Sequence, residues 1–378
     1  MRKTAAGVIA VFVLAVLAVP AFFTGCTEKN VRWTPGKPFP KERIKIGIIH
    51  PNEINETSLY DWAHYEGTVE MQKTLGLGDD QIIRRVNVFE EDQAETEAVV
   101  RECISEGAVI IIAPSYGYME PCEKLAAEFP GVIFAHATGY KHNDRNFTNY
   151  SGRVYQARYL SGIVAGLKTE SGKIGFVAAM GRDNSEVSGS VNAFALGVES
   201  VNPGARIYVK VTYSWFDPLG EGEAAKALIA EGCDVIAQHT NTTVPQLAAR
   251  NAGVWGIGFN GDMGAYVPGT VLTSVVLRWG AYYCHLVQSV IDGTFSPAPY
   301  FGGIAEGVVD ITPPALTGPE TAAAVEAARR EIREGRFNVF DGELETSGGG
   351  IIGVKGETLS DSEIIGNIHW YYRNVVEL

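Results

Sequence analysis

Basic residues are scarce. Against 44 aspartates and glutamates stand 31 lysines and arginines, a net charge of −13 over 378 residues. A surface that acidic repels phosphate backbones and anionic headgroups, which argues against nucleic acid as a partner. Only five cysteines occur, none in a CxxC pair and none with a histidine at zinc-site spacing, so no metal is expected. Cys103, Cys122, Cys233 and Cys284 are expected as buried free thiols, although an oxidising compartment would permit disulfides. Enzyme signatures are also missing. The chain has no GxSxG elbow, no HExxH and no P-loop, Gly172-Lys173 lacking the rest of that motif. No catalytic residue and no cofactor is expected.

Long apolar runs are absent except at the start. Met1-Arg2-Lys3 precedes an apolar stretch over residues 5–23, and Phe23-Thr24-Gly25-Cys26 follows. A basic start, an apolar run and small residues before a cleavage point are the parts of a secretory signal, expected over 1–25. The last four residues resemble a lipobox, with Phe where Leu is usual, so Cys26 is expected to be lipidated. Residues 26–42 hold Pro35, Pro38 and Pro40 and read as an extended tether. The bulk of the chain is then extracytoplasmic, with the lipid anchor as its only membrane contact.

The full chain is 46% apolar, and beyond the tether it alternates strand and helix. Apolar runs at 44–50, 108–114 and 234–238 read as strands. Residues Leu59, Ala63, Gly67, Met71 and Leu75 recur at helical spacing. Asp217-Pro218 and Ser360-Asp361-Ser362-Glu363 carry helix-start chemistry. Two such series imply an α/β fold of two lobes, each a doubly wound, mostly parallel sheet with helices on both faces. One lobe is expected over 43–170, completed by 263–295, and the other over 171–262, completed by 296–378. Ligands of such sheets bind beyond the carboxyl ends of the strands. Those positions hold Ser115-Tyr116, Thr138-Gly139-Tyr140, Trp215-Phe216-Asp217, His239-Thr240-Asn241 and Asn260-Gly261-Asp262. Aromatic faces among short amides and carboxylates suit a flat polar heterocycle. Gly256-Ile257-Gly258-Phe259-Asn260-Gly261 matches GxGxxG only within a strand, so it is set aside.

Taken in order, Ala63-His64, Ser115-Tyr116-Gly117-Tyr118-Met119, His136-Ala137-Thr138-Gly139-Tyr140, Gly152-Arg153, Ala157-Arg158-Tyr159-Leu160-Ser161-Gly162, Ser214-Trp215-Phe216-Asp217-Pro218, Asp262-Met263 and Gly303-Ile304-Ala305-Glu306-Gly307 resemble the basic membrane protein family of ABC-transporter substrate-binding lipoproteins, which includes purine nucleoside receptors. The resemblance implies a two-lobed type I periplasmic-binding-protein fold with three crossovers and a ligand closed between the lobes. It implies a monomer that takes a purine, a related base or a nucleoside and passes it to ABC permease and ATPase subunits. By the same resemblance Tyr60 stacks on the base, with Tyr116 and Trp215 as further aromatic positions and Ser115, Asn241, Asn260, Asp262 and Trp279 beside them. Asn241 and Asn260 stand where relatives carry Asp, and Leu277 stands where the nucleoside-binding branch has a ribose-contacting lysine. Asn offers a donor as well as an acceptor, which favours an acceptor-rich ligand edge. A sensory lipoprotein and a nucleoside hydrolase are the competing classes. Pro51-Asn52-Glu53 supplies one acid where a hydrolase needs a metal-binding cluster.

Overall fold

Short apolar runs build the sheet centres. In the computed structural model, which describes residues 32–55 and 58–378, β1 (Ile46–Ile49) is buried at all four positions. Helices covering both faces of a parallel strand require that pattern. The first series continues with α1 (Leu59–Leu75), β2 (Ile82–Arg85), α2 (Gln93–Ser105), β3 (Ile110–Ala113), α3 (Met119–Glu128), β4 (Ile133–Ala137) and β5 (Phe147–Gly152). The second runs through α4 (Val154–Lys168), β6 (Lys173–Ala178), α5 (Ser185–Val201), β7 (Arg206–Val211), α6 (Pro218–Ala230), β8 (Val235–His239), α7 (Val244–Ala252), β9 (Trp255–Asn260), α8 (Met263–Tyr266) and β10 (Val271–Leu277). After α9 (Trp279–Asp292) come β11 (Tyr300–Gly302), β12 (Val309–Ile311), α10 (Pro319–Arg333), a hairpin of β13 (Leu344–Glu345) and β14 (Ile351–Ile352), α11 (Asp361–Gly366) and β15 (Val375–Glu377).

The strands form two large sheets, ordered β11-β5-β4-β3-β1-β2 and β12-β10-β9-β8-β6-β7-β15. Every pairing in them is parallel except that of β10 with β12. Asp217 caps α6 by accepting from the Gly220 N–H at 3.0 Å, with Pro218 in the first turn. Ser360 and Glu363 form the expected capping box of α11.

Sheet membership cuts across the sequence division. β10 falls within 263–295 yet extends the second sheet, while α9 of the same segment packs on α1. β11 falls within 296–378 yet joins the first sheet. α4, placed with the first lobe from sequence, packs on α5 and β10. Gly162 and Gly197 let those two helices touch, because a Cβ on Gly162 would lie 2.2 Å from the Phe194 carbonyl oxygen. The chain therefore passes between the sheets three times, at Gly152, at Leu277 and between β11 and β12. Those passes meet: a Cβ on Gly152 would lie 2.9 Å from Val309 and 3.0 Å from Leu277.

Cys26, its leader and the start of the tether lie outside the described residues. From residue 32 onward the tether assignment needs correction. Trp33 is 3% exposed, packs edge-on against Phe295 and donates its backbone N–H to Gly131, and Phe39 is 4% exposed. Two aromatics gain more by burial than a proline-rich segment gains by staying solvated. The four later cysteines are free thiols, three of them buried.

Candidate functional site

Beyond the carboxyl end of β1 the first turn of α1 presents Tyr60, partly exposed, with Asp61 fully buried behind it. Asp61 accepts from Ser58 Oγ at 2.6 Å and Asn52 Nδ2 at 3.0 Å, and its other oxygen lies 3.6 Å from His50 Nδ1. An acid in the first helical turn also suits the helix dipole. One turn on, His64 meets the Tyr60 ring edge-on at 4.6 Å and lies flat on Trp279 at 4.7 Å. His64 Nδ1 is 2.6 Å from the Tyr283 hydroxyl, which is 3.1 Å from that of Tyr150. The Ala-His motif thus buttresses Tyr60. Trp279, only 1% exposed, belongs to that buttress rather than to an open surface.

After β3, Ser115 donates through Oγ to Glu90, whose Oε2 also accepts the Gly117 N–H at 3.0 Å. This fixes the short turn Tyr116–Tyr118, in which Tyr118 is buried and the Tyr116 side of the turn is outermost, Tyr116 being 54% exposed.

The second sheet supplies the other wall. Trp215 is partly exposed, and its backbone oxygen accepts the Asn241 N–H at 3.0 Å. The Trp215 ring centre is 5.8 Å from that of His239, which packs on Phe259 at 4.1 Å. Asn260 Nδ2 donates to Asn241 Oδ1 at 2.7 Å. That leaves the Asn241 amine as a donor and the Asn260 oxygen as an acceptor. Asp262 is exposed and caps α8 by accepting from the Gly264 N–H at 3.0 Å. Beneath the wall Arg158 is wholly buried. Its Nη2 donates to the Gln238 carbonyl oxygen at 2.8 Å, and its guanidinium sits over Phe259 at 4.4 Å. Thr138 (φ 60°), Tyr213 (φ 55°) and Asn260 (φ 67°) take left-handed backbone at three of these strand ends. Such strain is costly for a β-branched Thr and gathers where a site over-determines the backbone.

The two walls meet. Leu59 of α1 is fully buried among Met263, Val267 and Val271 of the other lobe, so the structure is closed. Burying a leucine stabilises that contact by about 1.5–3 kcal/mol. Burial raises the Tyr60 hydroxyl well above its usual range, with further upward pushes from Tyr150, Glu186, Asp61 and Glu90. Leu277 does not face this cleft as a lysine substitute; it packs at the crossover against Gly152.

Ser115 therefore stands beyond a strand of the first sheet, with Tyr60 in the first turn of α1, and Trp215, Asn241 and Asn260 stand at strand ends of the second sheet. Glu90, Glu186, Asp61 and His50 are additional polar groups there that sequence reasoning missed. Glu186 lies in the first turn of α5, which Asn184 caps.

Three histidines behind the walls set an acid limit. Burial pushes His239 down from 6.5 to about 4, Arg158 adding to the effect, and burial likewise lowers His64 and His136. A histidine depressed on folding contributes stability above its unfolded pKa and loses it as pH falls. From the 6.5 and 4 given for His239, its share of the loss reaches about 3 kcal/mol at pH 4. Urea unfolding between pH 7 and pH 4 is expected to show falling midpoints, and His239→Gln should flatten the slope. An unchanged slope in that variant would discount His239.

Among the described residues no helix is long and apolar enough to cross a membrane, and no group of three or more His, Cys, Asp and Glu side chains could hold a metal. Residues 43–335 match the Bmp family, described as ABC transporter substrate-binding protein, PnrA-like. A purine-binding protein of Brucella abortus is 33% identical over 332 residues, covering 88% of this chain and 93% of its own. A putative ABC transporter glucose-binding protein of Haloferax volcanii is 34% identical over 286 residues, covering 75% of this chain and 71% of its own. The solved ABC transporter solute-binding protein of Conexibacter woesei superposes with a TM-score of 0.66 at 22% identity, over 78% of this chain and 98% of its own.

Proposed function

The chain belongs to the PnrA-like family of ABC transporter substrate-binding proteins, and from that premise we propose that it closes its two lobes on a nucleobase-like or nucleoside-like solute and delivers it to a permease. The observation that carries this reading is a partly exposed ring on each side of a closed cleft, Tyr60 from one lobe and Trp215 from the other. A planar ligand between two such rings shifts the open–closed equilibrium only through contacts it makes better when closed. Stacking on both faces is such a contact. Tyr116 is a third aromatic at the rim. Ser115, Asn241, Asn260 and Asp262 read the ligand's edges, and Trp279 supports Tyr60 through His64. The purine-binding relative matches over 88% of this chain and the Haloferax relative over 75% at nearly equal identity, which supports a purine over the sugar that the latter suggests.

Substrate-binding proteins of ABC transporters act outside the cytoplasm. Within that frame we read Cys26 as the lipidated first residue of a tethered mature protein. Cys26→Ala should release the protein from washed membranes, and retention would overturn the anchor. The test of function is native mass spectrometry of the purified protein, followed by calorimetry with adenine, guanine, hypoxanthine, adenosine and glucose. Binding of a purine base is expected. Binding of glucose alone, or turnover of a nucleoside, would overturn the reading.

A further inference from the structure

Three carboxylates approach Tyr60, and their partners differ. Asp61 is held by Ser58 and Asn52 of its own lobe. Glu90 is held by Ser115 and Gly117 of that same lobe. Glu186 comes from the other lobe. Its Oε1 lies 3.7 Å from His239 Nε2, too long for a hydrogen bond. Its side chain is 41% exposed even in the closed form. The local helix does not need it, because Asn184 already caps α5 by accepting from the Val187 N–H at 3.1 Å.

What lies behind Glu186 does not hydrogen-bond it. His239 is wholly buried with both ring nitrogens unpartnered, and Arg158 is wholly buried without an ion pair, its Nε and Nη1 also unpartnered. Burial, reinforced by Arg158, lowers His239 to about 4, so the imidazole is neutral at pH 7 and does not neutralise the carboxylate. Arg158 attracts Glu186 from below without bonding it. The result is a carboxylate with two free acceptor oxygens, standing beside the ring that packs against Trp215.

We propose that Glu186 reads the ligand's donor edge, selecting a purine in which a ring N–H lies beside an exocyclic amine. This rests on the proposed cleft. A carboxylate matches two adjacent N–H donors with two parallel charge-assisted bonds. A base with one donor on that edge fills half of it, and a base presenting a carbonyl there sets two acceptors against each other. The Asn241 amine and the Asn260 oxygen take the complementary edge. This modifies the expectation from sequence, in which the two asparagines alone favoured an acceptor-rich ligand.

Equilibrium dialysis with radiolabelled guanine and hypoxanthine tests it, since the two differ by the exocyclic amine. The wild-type protein should bind guanine at least about 10-fold more tightly, and Glu186→Gln should lose about 10- to 100-fold on guanine. The preference between the bases should then shrink to within about 3-fold, as expected when a charge-assisted pair is lost. The melting temperature of ligand-free Glu186→Gln should stay within about 4 °C of wild type, because a helix-dipole contribution and the attraction to Arg158 are removed but no hydrogen bond is. Guanine affinity unchanged in Glu186→Gln, or a wild-type preference for hypoxanthine, overturns the assignment. Trp215→Ala run in parallel separates the two claims. Loss of binding there with Glu186→Gln unaffected leaves the cleft standing and removes Glu186 from it. Unchanged binding in both variants, or no purine binding by wild type, overturns both.

Discussion

Trp215→Ala is expected to weaken purine binding about 10- to 100-fold, since base–aromatic stacking is worth about 1–3 kcal/mol. The ring has little structural work to lose. It is partly exposed, and its one ring contact among the described residues is the tilted approach to His239 at 5.8 Å. The loop around it is held through the backbone, where the Trp215 oxygen accepts from Asn241, and alanine keeps that bond. The adjoining helix is capped by Asp217, which the substitution does not touch. Calorimetry should therefore show the affinity loss while the melting temperature of ligand-free protein moves by no more than about 2 °C. A large drop in melting temperature with unchanged affinity would make Trp215 a packing residue and move the cleft elsewhere.

Asp61→Ala is expected to act in the opposite sense, costing about 2–4 kcal/mol of stability, from lost buried hydrogen bonds and a new cavity. Asp61 is fully buried and is the shared acceptor for Ser58 Oγ and Asn52 Nδ2, with fully buried His50 beside it. Removing the carboxylate leaves the buried Ser58 hydroxyl without that acceptor and buried His50 without its neighbour, while exposed Asn52 can turn to water. It also loosens the turn that presents Tyr60, so affinity should fall with stability. Urea unfolding measures the first effect, and calorimetry at a temperature where the variant remains folded measures the second. Asp61→Asn keeps an acceptor oxygen and should recover part of both. A stability loss below about 0.5 kcal/mol, the range of ordinary surface substitutions, would show that the network is not needed.

Ordered motifs and alternating patterns were enough to read the two α/β series, the helix caps at Asp217 and Ser360, and most strand ends. These features are local: periodicity, capping chemistry and apolar runs act over a few residues and survive any arrangement of the elements. The same reading placed Ser115, Trp215, Asn241 and Asn260 at strand ends, because a parallel sheet offers its carboxyl edge wherever a strand stops, while Tyr60 came from the family resemblance. The arrangement of elements was decided at long range. Nothing in the sequence of β10 or β11 says which sheet it will join. That depends on where three crossovers pack at Gly152, Leu277 and Val309, where one glycine leaves room for the other two chains. Trp279 looked like a cleft aromatic and proved to be packed on His64, and Trp33 and Phe39 left their tether for the surface of the first lobe, since only the folded partner surface makes burial available. Nothing local sets Glu186 apart from the other acids of the chain. Folding alone brings it within 3.7 Å of buried His239 and into the field of buried Arg158, because electrostatic reach belongs to distance in space and not to separation along the chain.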